Sequence, residues 1–275
     1  MIAAAGAERS GLLPALAATR ARLALVVLLV GLAAAAWWWT SDRMRGMDDG
    51  PGTDLGSLGW FLGVWVVMMA AMMLPSVSPT VALYSHLTRS REPLAPLVFT
   101  AGYLLVWGAM GLLAYGISAS ADALIAGHVS WDGAGRWVTA AIVAAAALYE
   151  LTPPKDACLG RCRSPLGFLV GSWRGGLAGA LRMGATSGAW CAGCCWALMA
   201  ALFALGVMSI AWMALMAALV TVEKMLPWGR AATWGTAALL LALGVLLVAA
   251  PDAIPGLTIP GSSPMTGRMD QMDGG

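Results

Sequence analysis

Long apolar stretches recur along this chain and are separated by shorter polar segments. A helix needs roughly 20 apolar residues to span a bilayer, with about 17 as a practical minimum. The stretches near this length are 23–39, 58–83, 96–117, 137–151, 189–207, 210–227 and 232–250. The sequence therefore predicts an all-α, polytopic transmembrane helix bundle of about seven spans.

The amino-acid composition supports a membrane protein and argues against nucleic-acid binding. Apolar residues make up 60% of the chain and charged residues 11%, whereas soluble domains carry roughly 25% charged residues. The formal net charge of +2 is small, and the charges are scattered. We expect the lipid bilayer to be a partner of this chain, and we expect no nucleic-acid partner.

The placement of lysine and arginine predicts the orientation of the bundle. With seven spans and a cytoplasmic N-terminus, 12 of the 16 basic residues fall on the inner side, as the positive-inside rule requires. A six-span alternative joins 189–227 into one long helix and moves the C-terminus to the other side. We therefore expect a multi-pass membrane protein with its N-terminus in the cytoplasm.

The polar segments divide the chain into three parts. Residues 1–22 form a cytoplasmic N-terminal lead, 23–250 the transmembrane domain, and 251–275 a flexible, Met-containing tail. The transmembrane domain includes a long inner loop, 152–188. Within that loop, Gly167–Met183 could form one short helix along the inner interface, with Arg174 and Arg182 facing the headgroups.

Three cysteines lie together in the fifth apolar stretch. Cys191, Cys194 and Cys195 have helical i, i+3 and i+4 spacing, so they share one face. Under the seven-span topology they occupy the inner half of the span, where the reducing compartment disfavours lasting disulfides. The sequence predicts a soft-metal site here, because three cysteines on one face are more than close packing needs. The alternative is close helix packing, which small neighbours such as Ala192 and Gly193 would allow.

A methionine cluster lies near the middle of the second stretch. Met68 stacks over Met72, and Met69 over Met73, which makes two thioether columns one helical turn long. Pro75 follows and should disturb the helix by removing a backbone donor. These thioethers could complete a metal site in the neighbouring helix, or they could simply fill irregular core space.

The inner loop adds two more thiols, and two glutamates lie at a similar depth. Cys158 and Cys162 are four residues apart among basic residues, which favour thiolates. Glu150 and Glu223 end apolar stretches, where ionisable groups are often functional. They could line an ion path or lie behind the ligands. The alternative is ion pairing of Glu150 with Lys155 or Arg182, and of Glu223 with a loop arginine while Lys224 snorkels.

Other candidate metal ligands are less suited to a shared site. His86 and His128 fall on opposite sides of the predicted membrane, so a histidine-rich zinc site is excluded. Thioethers on the outer side could bind Cu(I), or they could belong to a tail with no metal function. These are Met44 and Met47 in the first outer loop and Met265, Met269 and Met272 in the tail.

Several motifs together resemble a bacterial domain-of-unknown-function family of predicted metal-binding integral membrane proteins. The motifs are MMAAMMLP at 68–75, YELTP at 149–153, KDAC at 155–158, CRSP at 162–165, CAGCCWALM at 191–199 and EK at 223–224. The likeness runs from about residue 60 to 250, and it implies a multi-pass protein of the bacterial inner (cytoplasmic) membrane. It implies metal binding through Met68, Met69, Met72, Met73, Cys158, Cys162, Cys191, Cys194 and Cys195.

These features favour a membrane protein that handles copper, most readily as Cu(I), with zinc less favoured. Thiolates and thioethers prefer soft ions, and transport, storage and delivery all fit, with a metallochaperone or a membrane complex as partner. The Cys191–Cys194 pair also allows a membrane thiol–disulfide oxidoreductase, and a non-catalytic assembly subunit is a third alternative. No acid–base or nucleophilic active site is visible, which favours a non-enzymatic role.

Overall fold

The described residues of this chain fold entirely as helices and connecting turns. The computed structural model describes residues 27–28, 31–40, 42, 56–88, 92–125, 135–206, 209–226 and 229–250. Residues 31–40 are helical and precede eight helices. These are α1 Leu58–Thr88, α2 Ala95–Ile125, α3 Arg136–Glu150, α4 Pro153–Cys162, α5 Pro165–Ser172, α6 Gly176–Gly206, α7 Ile210–Met225 and α8 Gly229–Ala249.

The predicted all-α class is confirmed, and four of the described helices are long and apolar enough to cross a membrane. They are Leu58–Thr88, Ala95–Ser120, Gly176–Gly206 and Arg230–Ala249. Helices α3 and α7 have 15 and 16 residues, which is shorter than the roughly 20 residues of a straight span. The seven-span topology therefore stays a prediction. The N-terminal lead, His128, the outer-loop methionines and the C-terminal tail lie outside the described residues.

A helix break separates α6 from α7, where the six-span alternative required one continuous helix. Gly206 has φ 119°, and α7 begins at Ile210. This left-handed backbone favours glycine and ends a helix. At the other end, α6 begins earlier than the predicted stretch 189–207 because Gly176, with φ 77°, starts a new helix after α5.

The prediction of one interfacial helix over Gly167–Met183 is wrong. Helix α5 ends at Ser172, and the chain turns before α6 begins at Gly176. The left-handed backbone of Gly176 marks the turn between the two helices, and Pro165 marks the start of α5. Arg174 and Arg182 are both exposed, but they lie on different elements.

The proline-containing helix α1 continues through both of its prolines. Pro75 and Pro79 lie inside Leu58–Thr88. Each proline leaves the carbonyl four residues earlier without its helical donor. The Ser78 hydroxyl donates a 2.8 Å hydrogen bond to the Pro75 carbonyl, the group that Pro79 leaves unpaired. A side-chain donor therefore replaces one missing backbone bond and keeps the helix intact.

Helix α6 is the central element, and glycines bring it against α2. It packs against α2, α3, α4 and α7. A Cβ placed on Gly184 would run into the backbone of Phe99, and one on Gly102 would run into Leu181. A Cβ on Gly188 would lie 2.9 Å from the Tyr103 carbonyl oxygen. Small residues thus allow the close backbone approach that transmembrane helices use.

We predict that Gly184→Ala destabilises the protein by about 3 kcal/mol or more, because the added methyl group meets rigid backbone. Gly116→Ala, on α2, is the matched control, because nothing lies within 4 Å of a Cβ there. It should change stability by no more than about 1 kcal/mol. Thermal unfolding of the detergent-solubilised full chain measures both variants. Equal stability of the two would contradict the close approach of α2 and α6.

Candidate metal centre

The three cysteines of α6 form a buried thiol cluster. The sulfur atoms of Cys191, Cys194 and Cys195 all lie within 4.8 Å of one another. Cys194 Sγ lies 3.3 Å from Cys195 Sγ and donates a 3.1 Å hydrogen bond to the Cys191 carbonyl. Each cysteine is at most 2% exposed. The helical spacing of the three residues therefore produces one compact group of soft donor atoms.

Helix α1 adds a thioether to this thiol cluster. Met73 Sδ lies 3.9 Å from Cys191 Sγ. Met72 faces elsewhere, since it lines an open apolar groove with Pro75 and α7 residues. Met68 and Met69 are buried in the hydrophobic core. Of the four methionines suggested by the sequence, Met73 is thus the one that reaches a cysteine in the described part of the chain.

The two loop cysteines approach the same helix from α4. Cys162 Sγ lies 3.9 Å from Cys194 Sγ. Cys158 faces Gly193, where an added Cβ would lie 2.9 Å from its sulfur. Both loop cysteines are partly exposed, unlike the cluster. Helix α4 begins at Pro153 after Thr152, since proline is favoured in the first helical turn. Its two cysteines are four residues apart and both lie on the side that faces α6.

Two hydrogen-bonding groups converge on Cys191, and one of them contradicts a prediction. Lys224 does not snorkel away from the bundle, because its Nζ donates a 2.8 Å hydrogen bond to Cys191 Sγ. The hydroxyl of Tyr103 lies 2.8 Å from the same sulfur. An ammonium and a hydroxyl beside one sulfur stabilise negative charge on it. Sequence reasoning missed Tyr103, which has no motif of its own.

A buried ionic triad joins three helices beside the thiol cluster. Lys155 Nζ on α4 lies 2.7 Å from Glu150 Oε2 on α3 and 2.8 Å from Glu223 Oε2 on α7. Glu150 therefore pairs with Lys155, which is one of the two partners predicted for it. Glu223 pairs with the same lysine and not with the loop arginine that the sequence suggested. Burial opposes the charged form of Lys155, but Glu223 and Glu150 raise the pKa of this lysine above its ordinary value.

A small cavity is lined both by a cysteine of the thiol cluster and by an exposed arginine. It has a volume of about 20 Å³, enough for one water-sized particle. Buried Cys191, half-buried Cys162 and exposed Arg161 all line it, together with Lys224 and Tyr103. Its walls also carry hydroxyl groups from Ser76, Thr80 and Ser187. Two thiols that are distant in sequence therefore border one polar space.

The described residues thus combine four helices that are long and apolar enough to cross a membrane with a buried group of three cysteines that could hold a metal ion. The chain belongs to the copper chaperone family PpoB2, whose family model matches residues 62–247. No curated protein and no solved structure matches the chain. The family and the cysteine cluster support copper as the bound metal, in agreement with the metal-binding family expected from the sequence.

We predict that Lys155→Met lowers the free energy of unfolding by about 3–5 kcal/mol, because it leaves two buried carboxylates without their cation. The triple variant Glu150→Gln, Lys155→Met, Glu223→Gln should recover much of this loss, since no uncompensated charge remains. Thermal unfolding in detergent measures both variants. A single variant as stable as the wild type would show that the triad does not hold the helices together.

Proposed function

We propose that this protein binds Cu(I) at the thiol cluster, with Cys191, Cys194 and Cys195 as thiolate ligands and Met73 as a thioether ligand. The observation that carries the proposal is the convergence of these four sulfur atoms from α6 and α1 in a chain of a copper chaperone family. Thiolates and thioethers are soft ligands that prefer Cu(I) over Mg²⁺, Ca²⁺ or Mn²⁺.

The sulfur spacings support a cluster that closes on one ion. A metal–thiolate bond of about 2.3 Å places two sulfur ligands of one ion about 3.7–4 Å apart. Among the proposed ligands, Cys191 and Met73 have sulfurs 3.9 Å apart, and Cys194 and Cys195 have sulfurs 3.3 Å apart. Binding therefore requires the last pair to separate by a few tenths of an ångström. Side-chain rotation supplies a movement of this size.

Cys158 and Cys162 act in this proposal as the capture site, and Cu(I) passes inward by ligand displacement. Cys162 is partly exposed and lies in sulfur contact with Cys194. It also borders the cavity that reaches Cys191. An ion could thus move from a half-buried thiol to the buried cluster while keeping sulfur ligands throughout. A metallochaperone would supply the ion from the cytoplasm of a bacterium, across the inner-membrane surface.

Glu150 and Glu223 serve as positioning residues in this proposal, and not as ligands. Their carboxylates both contact Lys155, which lies on the same helix as Cys158 and Cys162. Glu223 precedes Lys224, which contacts Cys191. The triad therefore links the helix of the capture site to a residue at the thiol cluster.

A thiol–disulfide oxidoreductase is the second candidate, because Cys162 and Cys194 have sulfurs close enough for a disulfide to form after small rotations. Copper capture requires thiols that are accessible from the cytoplasmic side of the membrane, whereas the oxidoreductase requires thiols that are accessible from the outer side. Thiol labelling of intact cells and of inverted membrane vesicles separates them. Labelling of Cys162 from the cytoplasmic side supports copper capture, and labelling of Cys191 or Cys194 from the outer side supports the oxidoreductase.

We predict that the purified full chain binds stoichiometric Cu(I), and that Cys194→Ser lowers the bound copper by at least about half because Cys194 links the cluster to Cys162. Mass spectrometry of metal per chain, after anaerobic loading with Cu(I), measures this. Met213→Ala, a buried residue of α7, controls for general core damage. Copper content unchanged by Cys194→Ser would overturn the proposed site and favour the assembly-subunit alternative.

A second prediction tests the thioether ligand. Met73→Leu should weaken Cu(I) binding by about tenfold, or roughly 1.4 kcal/mol, because it removes one sulfur and keeps the side-chain volume. Met72→Leu is the matched control, since Met72 is equally buried and lines the apolar groove instead. Competition with a chromophoric Cu(I) chelator measures both affinities. Equal affinities of the two variants would exclude Met73 as a ligand.

A further inference from the structure

We infer that Lys224 is a specificity-determining residue whose fixed positive charge biases the thiol cluster toward a monovalent soft cation and against divalent ones. The inference rests on the proposed function, since it concerns the same sulfur ligands. It adds a charge criterion to their softness, which by itself does not separate Cu(I) from thiophilic divalent ions such as Zn²⁺.

The ammonium group of Lys224 lies next to two of the sulfur atoms that would hold a bound cation. Its Nζ is 2.8 Å from Cys191 Sγ and 4.0 Å from Met73 Sδ. It therefore touches both sulfurs that join α6 to α1. An ion held by these two sulfurs has the ammonium as a near neighbour, and the partly buried position of Lys224 weakens the screening by water.

The charge of Lys224 is not neutralised by a carboxylate in the described part of the chain. Glu223 is adjacent in sequence but is directed to Lys155 on α4. The Lys224 ammonium instead contacts two sulfur atoms, Cys191 Sγ and Met73 Sδ. Because the carboxylate next to it is already engaged, the ammonium charge acts on the Cys191 sulfur and on any metal ion that this sulfur holds.

Arg161 is the other cation that lines the cavity, and it is less suited to this role. It is exposed, and its guanidinium lies over the Trp190 ring, 5.0 Å from the ring centroid. Exposed charges are screened by water and salt. Lys224 is therefore the cationic side chain of this cavity that touches the cluster.

Charge selection follows from the form of Coulomb's law. The repulsion between the ammonium and a bound ion is proportional to the charge of the ion, so Zn²⁺ meets twice the repulsion that Cu(I) meets at the same position. Ionising the thiols costs the same for both metals when the same thiols bind. This shared cost cancels in the ratio of the Cu(I) and Zn(II) affinities. A change of that ratio in a Lys224 variant therefore reports the effect of the lysine charge.

The experiment compares affinities for Cu(I) and Zn(II) in the detergent-solubilised full chain, by anaerobic competition with chromophoric chelators. Lys224→Met should shift the Cu(I)/Zn(II) affinity ratio toward Zn(II) by at least about tenfold. Lys224→Arg keeps the charge and should leave the ratio within about threefold of the wild type. Arg182→Met removes an exposed charge from the same helix as the cysteines and should not change the ratio.

The outcomes separate this inference from the proposed function. If the wild type binds no Cu(I), the proposed function fails. If it binds Cu(I) but Lys224→Met keeps the wild-type ratio, the inference fails and the function stands. Lys224→Gln replaces Lys224→Met if the latter does not fold.

Discussion

The close approach of α2 and α6 is the constraint on which the candidate metal centre depends. Gly184 meets the backbone of Phe99, and Gly188 lies against Tyr103. This contact sets the depth and rotation of α6 relative to α2, because the backbones meet without intervening side chains. One turn further along α6, Cys191 then comes within hydrogen-bond distance of the Tyr103 hydroxyl. The glycines of α6 therefore determine both how closely α2 and α6 pack and where Cys191 lies relative to Tyr103.

Two charged neighbours on α7, Glu223 and Lys224, pair with other groups and not with each other. Glu223 and Lys224 are neighbours in sequence, yet Glu223 pairs with Lys155 and Lys224 with Cys191. Successive residues on a helix point about 100° apart, so the two side chains face different neighbours. One face of α7 is thereby tied to α4 by an ion pair, while the adjacent face directs a cation at the thiols. The thiol cluster therefore has the ammonium group of Lys224 at its edge.

Much of the helical fold and part of the candidate site could be predicted from the sequence. Apolar runs near the length of a bilayer predicted helices at α1, α2 and α8 because hydropathy depends on composition alone. The i, i+3, i+4 spacing predicted that Cys191, Cys194 and Cys195 would meet, since one helix suffices for that contact. The interfacial helix over 167–183 was wrong, because the turn before Gly176 depends on a local backbone conformation that hydropathy does not register.

The sequence by itself determined the class of protein, the soft donor set and the contacts within single helices, because composition and helical periodicity act locally. Only the tertiary structure decided which methionine reaches a thiol, which lysine pairs with which glutamate, and that Tyr103 borders the cluster. These contacts join residues far apart in sequence. They depend on the rotation and depth of each packed helix, and a helix can bury its residues equally well in more than one rotation until its neighbours are in place.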